Sequence, residues 1–350
     1  VDAVAQAAMM ESLSNEASVA TLSAQRLTLR AGARTLVEDF THTFYPGEIW
    51  CIAGPNGAGK TTLIATLAGL ARPTAGHVEL DGAHVADWSP ARLAQRRALM
   101  PQSVHDAFTA SVLDVVLLNR FPHLTGWGWE RADDRAAAQA ALARLGLADF
   151  ARRDVLSLSG GERQRVALAA VLCQDAPLLL LDEPLAHLDL HHQIDCLEAL
   201  AVWTQAERGE RDAEKHTEKH TEKHTEKHTE KHTEKHTEKH TEKRSERGRE
   251  KRHDNGAPPR TILFSCHDLN LARRFATHAL LLDGRGRIDA GPARDVLTPE
   301  LASRAFGYPL TLIRDGDHEA LVPALRPYTG ARAHSPSSPS SRDRNTPNSY

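Results

Sequence analysis

Nine residues, Gly54-Pro55-Asn56-Gly57-Ala58-Gly59-Lys60-Thr61-Thr62, leave this chain few architectures. They follow the apolar run Ile49-Trp50-Cys51-Ile52-Ala53 and precede the helix-compatible Leu63-Ile64-Ala65-Thr66-Leu67, so the segment predicts strand, loop and helix. Glycines let the backbone turn tightly enough for successive N–H groups to face one anion, helped by the positive end of the following helix. In such a loop Lys60 reaches the β and γ phosphates of a nucleotide and the Thr61 hydroxyl ligates Mg²⁺.

A second apolar run, Leu178-Leu179-Leu180-Leu181, ends in Asp182-Glu183-Pro184. It reads as a buried parallel strand delivering two carboxylates at its C-terminal edge, where open α/β sheets place their ligands. Asp182 is suited to hold Mg²⁺ and Glu183 to polarise a water attacking the γ-phosphate. An isolated Asp-Glu would be a solvated strand end; the phosphate loop gives this one its meaning.

Many nucleotide enzymes share those two motifs, and Leu158-Ser159-Gly160-Gly161-Glu162-Arg163-Gln164 narrows the choice. Ser159, Gly160 and Gly161 open a helix running through Val166-Ala167-Leu168, a second helix N-terminus suited to phosphate in the same chain. With this motif ahead of the Asp-Glu strand, the sequence resembles the ABC ATPase family over about residues 22–308. The resemblance implies an α/β fold: a P-loop NTPase, ABC-type nucleotide-binding domain with a RecA-like core, an antiparallel β subdomain and a helical subdomain at about 103–157. It also implies a head-to-tail homodimer in which Ser159, Gly160, Gly161 and Glu162 cap the ATP held by the partner's phosphate loop. Three further matches follow from it. Gln102 stands where the family contacts Mg²⁺ and water, Asp189 matches the loop crossing the dimer interface, and His267, after Thr261-Ile262-Leu263-Phe264, matches the histidine holding the γ-phosphate and the attacking water. Glu183, His267, Lys60 and Gln102 are thus the expected catalytic set, and Thr61, Gln102 and Asp182 the expected Mg²⁺ set.

One departure concerns the base. Family members often stack adenine on an aromatic residue upstream of the phosphate loop, whereas Leu27-Thr28-Leu29-Arg30-Ala31-Gly32 contains none. Arg30 is the expected substitute, through its guanidinium plane.

The other departure is a tandem EKHT repeat, Glu214 to Thr241, inside a polar insertion at about 207–259. It reads as a simple-sequence expansion in a permissive surface loop, where extra length costs little entropy. The alternative is a metal-binding arm: in a helix, the period of four brings His216, His220 and His224 onto one slowly drifting face. Outside the ATPase domain, 24–310, residues 1–23 read as a loose leader, 311–332 as a C-terminal extension and 333–350 as a disordered Ser/Pro/Arg-rich tail.

Composition excludes more than it selects. No apolar run approaches the roughly 20 residues that span a bilayer, and the N-terminus lacks a basic segment leading into a secretory apolar stretch. A membrane role therefore requires a partner; the family resemblance implies integral permease subunits, with the chain on the cytoplasmic face of the inner (plasma) membrane. A net charge of −3 gives no reason to expect nucleic acid. The four widely separated cysteines form no CxxC pair and suit a reducing compartment.

Between Gln102 and Ser159, Arg120-Phe121-Pro122-His123-Leu124 and Trp127-Gly128-Trp129 suit either a partner surface or packing within the helical subdomain. The Phe-Pro-His-Leu segment, Leu188-Asp189-Leu190-His191-His192-Gln193, His267-Asp268-Leu269-Asn270-Leu271-Ala272 and Val296-Leu297-Thr298-Pro299-Glu300-Leu301 are similar to the importer branch serving ferric siderophores, haem and cobalamin. That resemblance implies an external substrate-binding protein as well, with cargo chosen by the other subunits. A soluble ABC ATPase acting on ribosomes or DNA is the competing class, disfavoured by a single motif set and no sustained heptads. A small-molecule kinase leaves residues 158–164 unexplained.

Overall fold

The computed structural model describes residues 20–103, 109–124, 131–205, 259–316 and 318–324. The EKHT repeat, the Trp127-Gly128-Trp129 segment and the C-terminal tail lie outside them.

Five short strands, β3 (Ile49–Ala53), β6 (Arg97–Met100), β7 (Leu178–Leu181), β8 (Thr261–Ser265) and β9 (His278–Leu282), lie parallel in the order β9-β3-β8-β7-β6, and β10 (Ile288–Pro292) closes one edge antiparallel to β9. Their near-continuous apolar character follows from burial on both faces. Cys51, Leu179, Leu181, Ile262 and Phe264 belong to one core, whereas Trp50, Ile52, Leu178, Leu180 and Leu263 belong to the other. The alternation is the period of two of a pleated strand.

On the first face lie helices Gly160–Cys173, Leu190–Thr204 and Leu269–Phe275. Helices Val112–Leu117 and Ala132–Arg144 pack against Gly160–Cys173 and bury Val116, Ala138 and Leu142 in the same core, forming a helical subdomain. On the second face, helix Lys60–Leu67 touches both β8 and β1 (Leu22–Ala31). It is sandwiched under a smaller antiparallel sheet in the order β2-β1-β4-β5, with β2 spanning Arg34–Phe44, β4 Ala75–Leu80 and β5 Ala83–His84. The first strand starts at Leu22, inside the stretch read from sequence as leader. A terminal hairpin, β11 (Leu310–Asp315) and β12 (His318–Pro323), is docked by Asn270, whose side chain hydrogen-bonds both backbone groups of Leu321. All four cysteines are buried and free.

The C-terminal ends of β3, β6, β7 and β8 share one edge of the sheet. They carry, respectively, the phosphate loop, Gln102, Asp182 with Glu183, and His267. Four distant sequence segments therefore converge because parallel neighbours end on the same side.

Candidate functional site

The phosphate loop leaves β3 at Gly54, whose φ of 148° suits glycine alone; a Cβ there would come within 2.5 Å of the Leu282 carbonyl oxygen. Gly59, at φ 104°, caps helix Lys60–Leu67 without a side-chain hydrogen bond, so the first N–H groups of the helix keep their donors available. Lys60 is 6% exposed, and its ammonium donates to the carbonyls of Gly54 (3.0 Å) and Pro55 (3.2 Å). Burial lowers its pKa, while Glu183 and Asp182 favour the charged form. A mostly buried cation held only by neutral carbonyls and nearby carboxylates is poised for an anion.

A cleft of about 550 Å³ opens over this loop. It is lined by the phosphate-loop residues Asn56, Gly57, Gly59, Lys60, Thr61 and Thr62, by Gln102, Glu183 and His267, and by Ala31, Arg34 and Leu36. Four of the strand-end groups expected from sequence thus meet there. Asp182 lies beneath, 2% exposed, and accepts a hydrogen bond from the Ser265 hydroxyl at 2.8 Å.

Glu183 has φ 50°, a left-handed conformation that a non-glycine residue adopts at a cost of roughly 1–2 kcal/mol. Its backbone is clamped from both sides: its N–H donates to Ser265 Oγ at 2.7 Å, and its carbonyl accepts from Gln164 Nε2 at 2.8 Å. The twist aims its carboxylate into the cleft, where Oε1 meets His267 Nε2 at 2.9 Å. Burial opposes ionisation of Glu183, but hydrogen bonds from His267 and Gln102 and the charge of Lys60 outweigh it and hold the carboxyl below its ordinary pKa. The group is therefore an ionised acceptor throughout the neutral range.

Ser265 and Gln164 were not singled out from the sequence. The one available signal was polar residues at buried positions, since Ser265 ends the all-buried strand β8 and Gln164 is 8% exposed. Replacing Ser265 with Ala should leave Asp182 and the Glu183 N–H short of a partner and cost about 1–3 kcal/mol, read as a lower urea midpoint with an unchanged m-value.

The cleft lining departs from one expectation. Arg30 is exposed and does not line the cleft; Arg34 does. The tight β1–β2 turn pairs Ala31 with Arg34, and the Arg34 guanidinium is fixed by donating from Nε (3.0 Å) and Nη2 (2.7 Å) to the Gly284 carbonyl.

Ser159, Gly160, Gly161, Glu162 and Asp189 stand elsewhere. None lines the cleft. Ser159 and Glu162 form a reciprocal capping box at the start of helix Gly160–Cys173, with Glu162 Oε2 accepting from the Ser159 N–H at 2.8 Å. Gly161 lies where a Cβ would come within 3.0 Å of the His187 carbonyl oxygen, so this loop packs closely on the one carrying Asp189. Asp189 caps helix Leu190–Thr204 through a 2.9 Å bond from the His192 N–H.

The phosphate loop, Glu183 and His267 meet in one cleft. Residues 37–186 match the ABC transporter family. The cobalamin import ATP-binding protein of Halobacterium salinarum is 36% identical over 287 residues, 82% of this chain, and the chain spans 58% of that relative's length. The hemin import ATP-binding protein of Gloeobacter violaceus is 38% identical over 301 residues, covering 84% of this chain and 90% of the relative. Among solved structures, a metal-chelate-type ABC transporter in an inward-facing conformation superposes with TM-score 0.64 at 25% identity, over 88% of this chain and 98% of that one. The chain belongs to the ABC transporter family.

Proposed function

We propose that this chain binds and hydrolyses ATP as one of a pair of identical subunits, and that the pair drives uptake of a metal chelate through integral permease subunits. The observation carrying the proposal is the division of the phosphate-binding groups. One set lines the cleft, whereas the Ser159 helix start lies outside it on the same chain and is free to complete the cleft of a second copy.

Lys60 and the backbone N–H groups of residues 57–61 would hold the β and γ phosphates. Mg²⁺, kept by Thr61 and Asp182 with Gln102 beside them, would supply positive charge against the phosphate oxygens. The oxygen donors present, a hydroxyl and a buried carboxylate fixed by Ser265, suit that hard cation. Glu183, ionised and fixed by its clamped backbone, orients a water for in-line attack on the γ-phosphate and accepts its proton. His267, now hydrogen-bonded to Glu183, would exchange that bond for one to the water or the γ-phosphate. Closure of the two copies onto two ATP molecules, and reopening after hydrolysis, would provide the mechanical step. Arg34 offers its guanidinium plane for the base in place of an aromatic residue.

No helix among the described residues is long and apolar enough to cross a membrane, which supports peripheral association through a partner. The surface suited to that partner is on the helical subdomain. Phe121 is 76% exposed and Leu118 73%, while their neighbours anchor the segment: Arg120 Nε donates to Asp134 Oδ1 at 3.0 Å, and His123 Nε2 contacts the Gln174 carbonyl at 2.6 Å. The relatives' names, cobalamin, hemin and ferric enterobactin transport, and the metal-chelate-type transporter support a metal-chelate cargo. An external substrate-binding protein would deliver it.

Vesicles carrying the chain with its permease subunits test this reading: ATP should drive uptake of one radiolabelled cargo among cobalamin, haem and a ferric siderophore. In the same assay Phe121→Asp should cut uptake about tenfold or more, as loss of an aromatic anchor does. Its ATPase rate in solution should stay at the wild-type level. ATPase activity with no uptake of any chelate would refute the importer reading.

A further inference from the structure

The antiparallel subdomain carries a cluster that the nucleotide chemistry does not use. β4 and β5 are joined by Asp81-Gly82, both at positive φ (55° and 76°), the two-residue hairpin turn whose twist matches the strands. The turn is pinned by bonds to Asp81 from the Thr21 N–H (3.0 Å) and from Arg96 (2.7 Å). It fixes a register in which Glu79 is paired with His84. His77, two residues before Glu79, shares its face of the sheet.

Three potential ligand atoms therefore converge, one from each side chain, all within 4.8 Å of one another. Glu79 Oε1 lies 3.1 Å from His77 Nε2 and 3.9 Å from His84 Nε2. Ligand atoms around a tetrahedral ion with bonds of about 2.0–2.1 Å stand about 3.3 Å apart, so these separations bracket the spacing required. The two imidazoles stack with centroids 4.0 Å apart and planes 11° apart. The second carboxylate oxygen is already engaged: Ser23 Oγ, nearly buried, donates to Glu79 Oε2 at 3.4 Å, and Gln25 Nε2 donates in turn to Ser23 at 3.3 Å. Such outer hydrogen bonds orient metal-ligating carboxylates.

We propose that His77, Glu79 and His84 form a binding site for one borderline divalent cation, Zn²⁺ foremost, with water in the fourth position. Two neutral imidazoles and a carboxylate are the donor set Zn²⁺ takes with an open position, whereas Mg²⁺ and Ca²⁺ prefer all-oxygen shells. The site is separate from the nucleotide cleft, none of whose lining residues it shares. A bound cation would tie β5 to β4, from which the chain passes through helix Pro90–Arg96 into β6 and on to Gln102.

The test is diethyl pyrocarbonate labelling of the full chain across a ZnCl₂ titration, read peptide by peptide by mass spectrometry, so that the histidines of the EKHT repeat are scored separately. His77 and His84 should become protected together, at one Zn²⁺ midpoint. In Glu79→Gln, where both histidines remain, that shared midpoint should rise at least about tenfold; Ser23→Ala should raise it less. Protection of one histidine without the other, no protection up to about millimolar Zn²⁺, or an unchanged midpoint in a Glu79→Gln protein of wild-type circular dichroism would overturn the proposal.

Discussion

Glu183→Gln should reduce ATP turnover about 10²–10⁴-fold while leaving ATP binding intact. The substitution keeps the volume and the left-handed backbone, because the clamps on that backbone come from Ser265 and Gln164 and do not involve the carboxylate. It removes the carboxylate placed to accept the water's proton. His267 and Gln102 can still contact the amide, so the cleft keeps its shape. Single-turnover hydrolysis and nucleotide binding, measured on the same preparation, separate the two effects. Turnover within about threefold of wild type would take the general-base role away from Glu183.

Lys60→Ala should instead act on binding. Its ammonium is buried within the phosphate loop, and a charge-assisted hydrogen bond is worth about 1.5–3 kcal/mol, so MgATP affinity should fall about 10–150-fold. Hydrolysis should fall further, since charge grows on the phosphoryl oxygens in the transition state. The nucleotide-induced rise in melting temperature should shrink with the affinity. An undiminished rise would mean that backbone N–H groups alone hold the phosphates.

The two variants depend on parts of the site that differ in how visible they are in the sequence. The phosphate loop and the Asp-Glu strand end are local: strand, turn and helix occupy one segment each, β3 and β7 are apolar throughout, and β8 is apolar between its buried ends Thr261 and Ser265. Ser265 and Gln164 are different. Their roles come from sheet and helix packing that brings Ser265 to a partner 82 positions away and Gln164 to one 19 positions away. Arg34 at the cleft was not legible, for a related reason. The turn at Gly32-Ala33 reverses the chain, and the cleft receives the first residue of β2 while the side chain of Arg30 stays exposed. The His77-Glu79-His84 cluster likewise depends on hairpin register. Its three residues look unremarkable until Asp81-Gly82 sets Glu79 opposite His84.

The central claim is that two copies close head to tail on ATP, each lending its Ser159 helix start to the other's cleft. The most direct measurement is the solution mass of Glu183→Gln by light scattering, with and without ATP and Mg²⁺. The account predicts a monomer without nucleotide, a dimer with it, and no dimer when Ser159 is also replaced by Phe. A monomer under all three conditions, in a protein that demonstrably binds ATP, would contradict it.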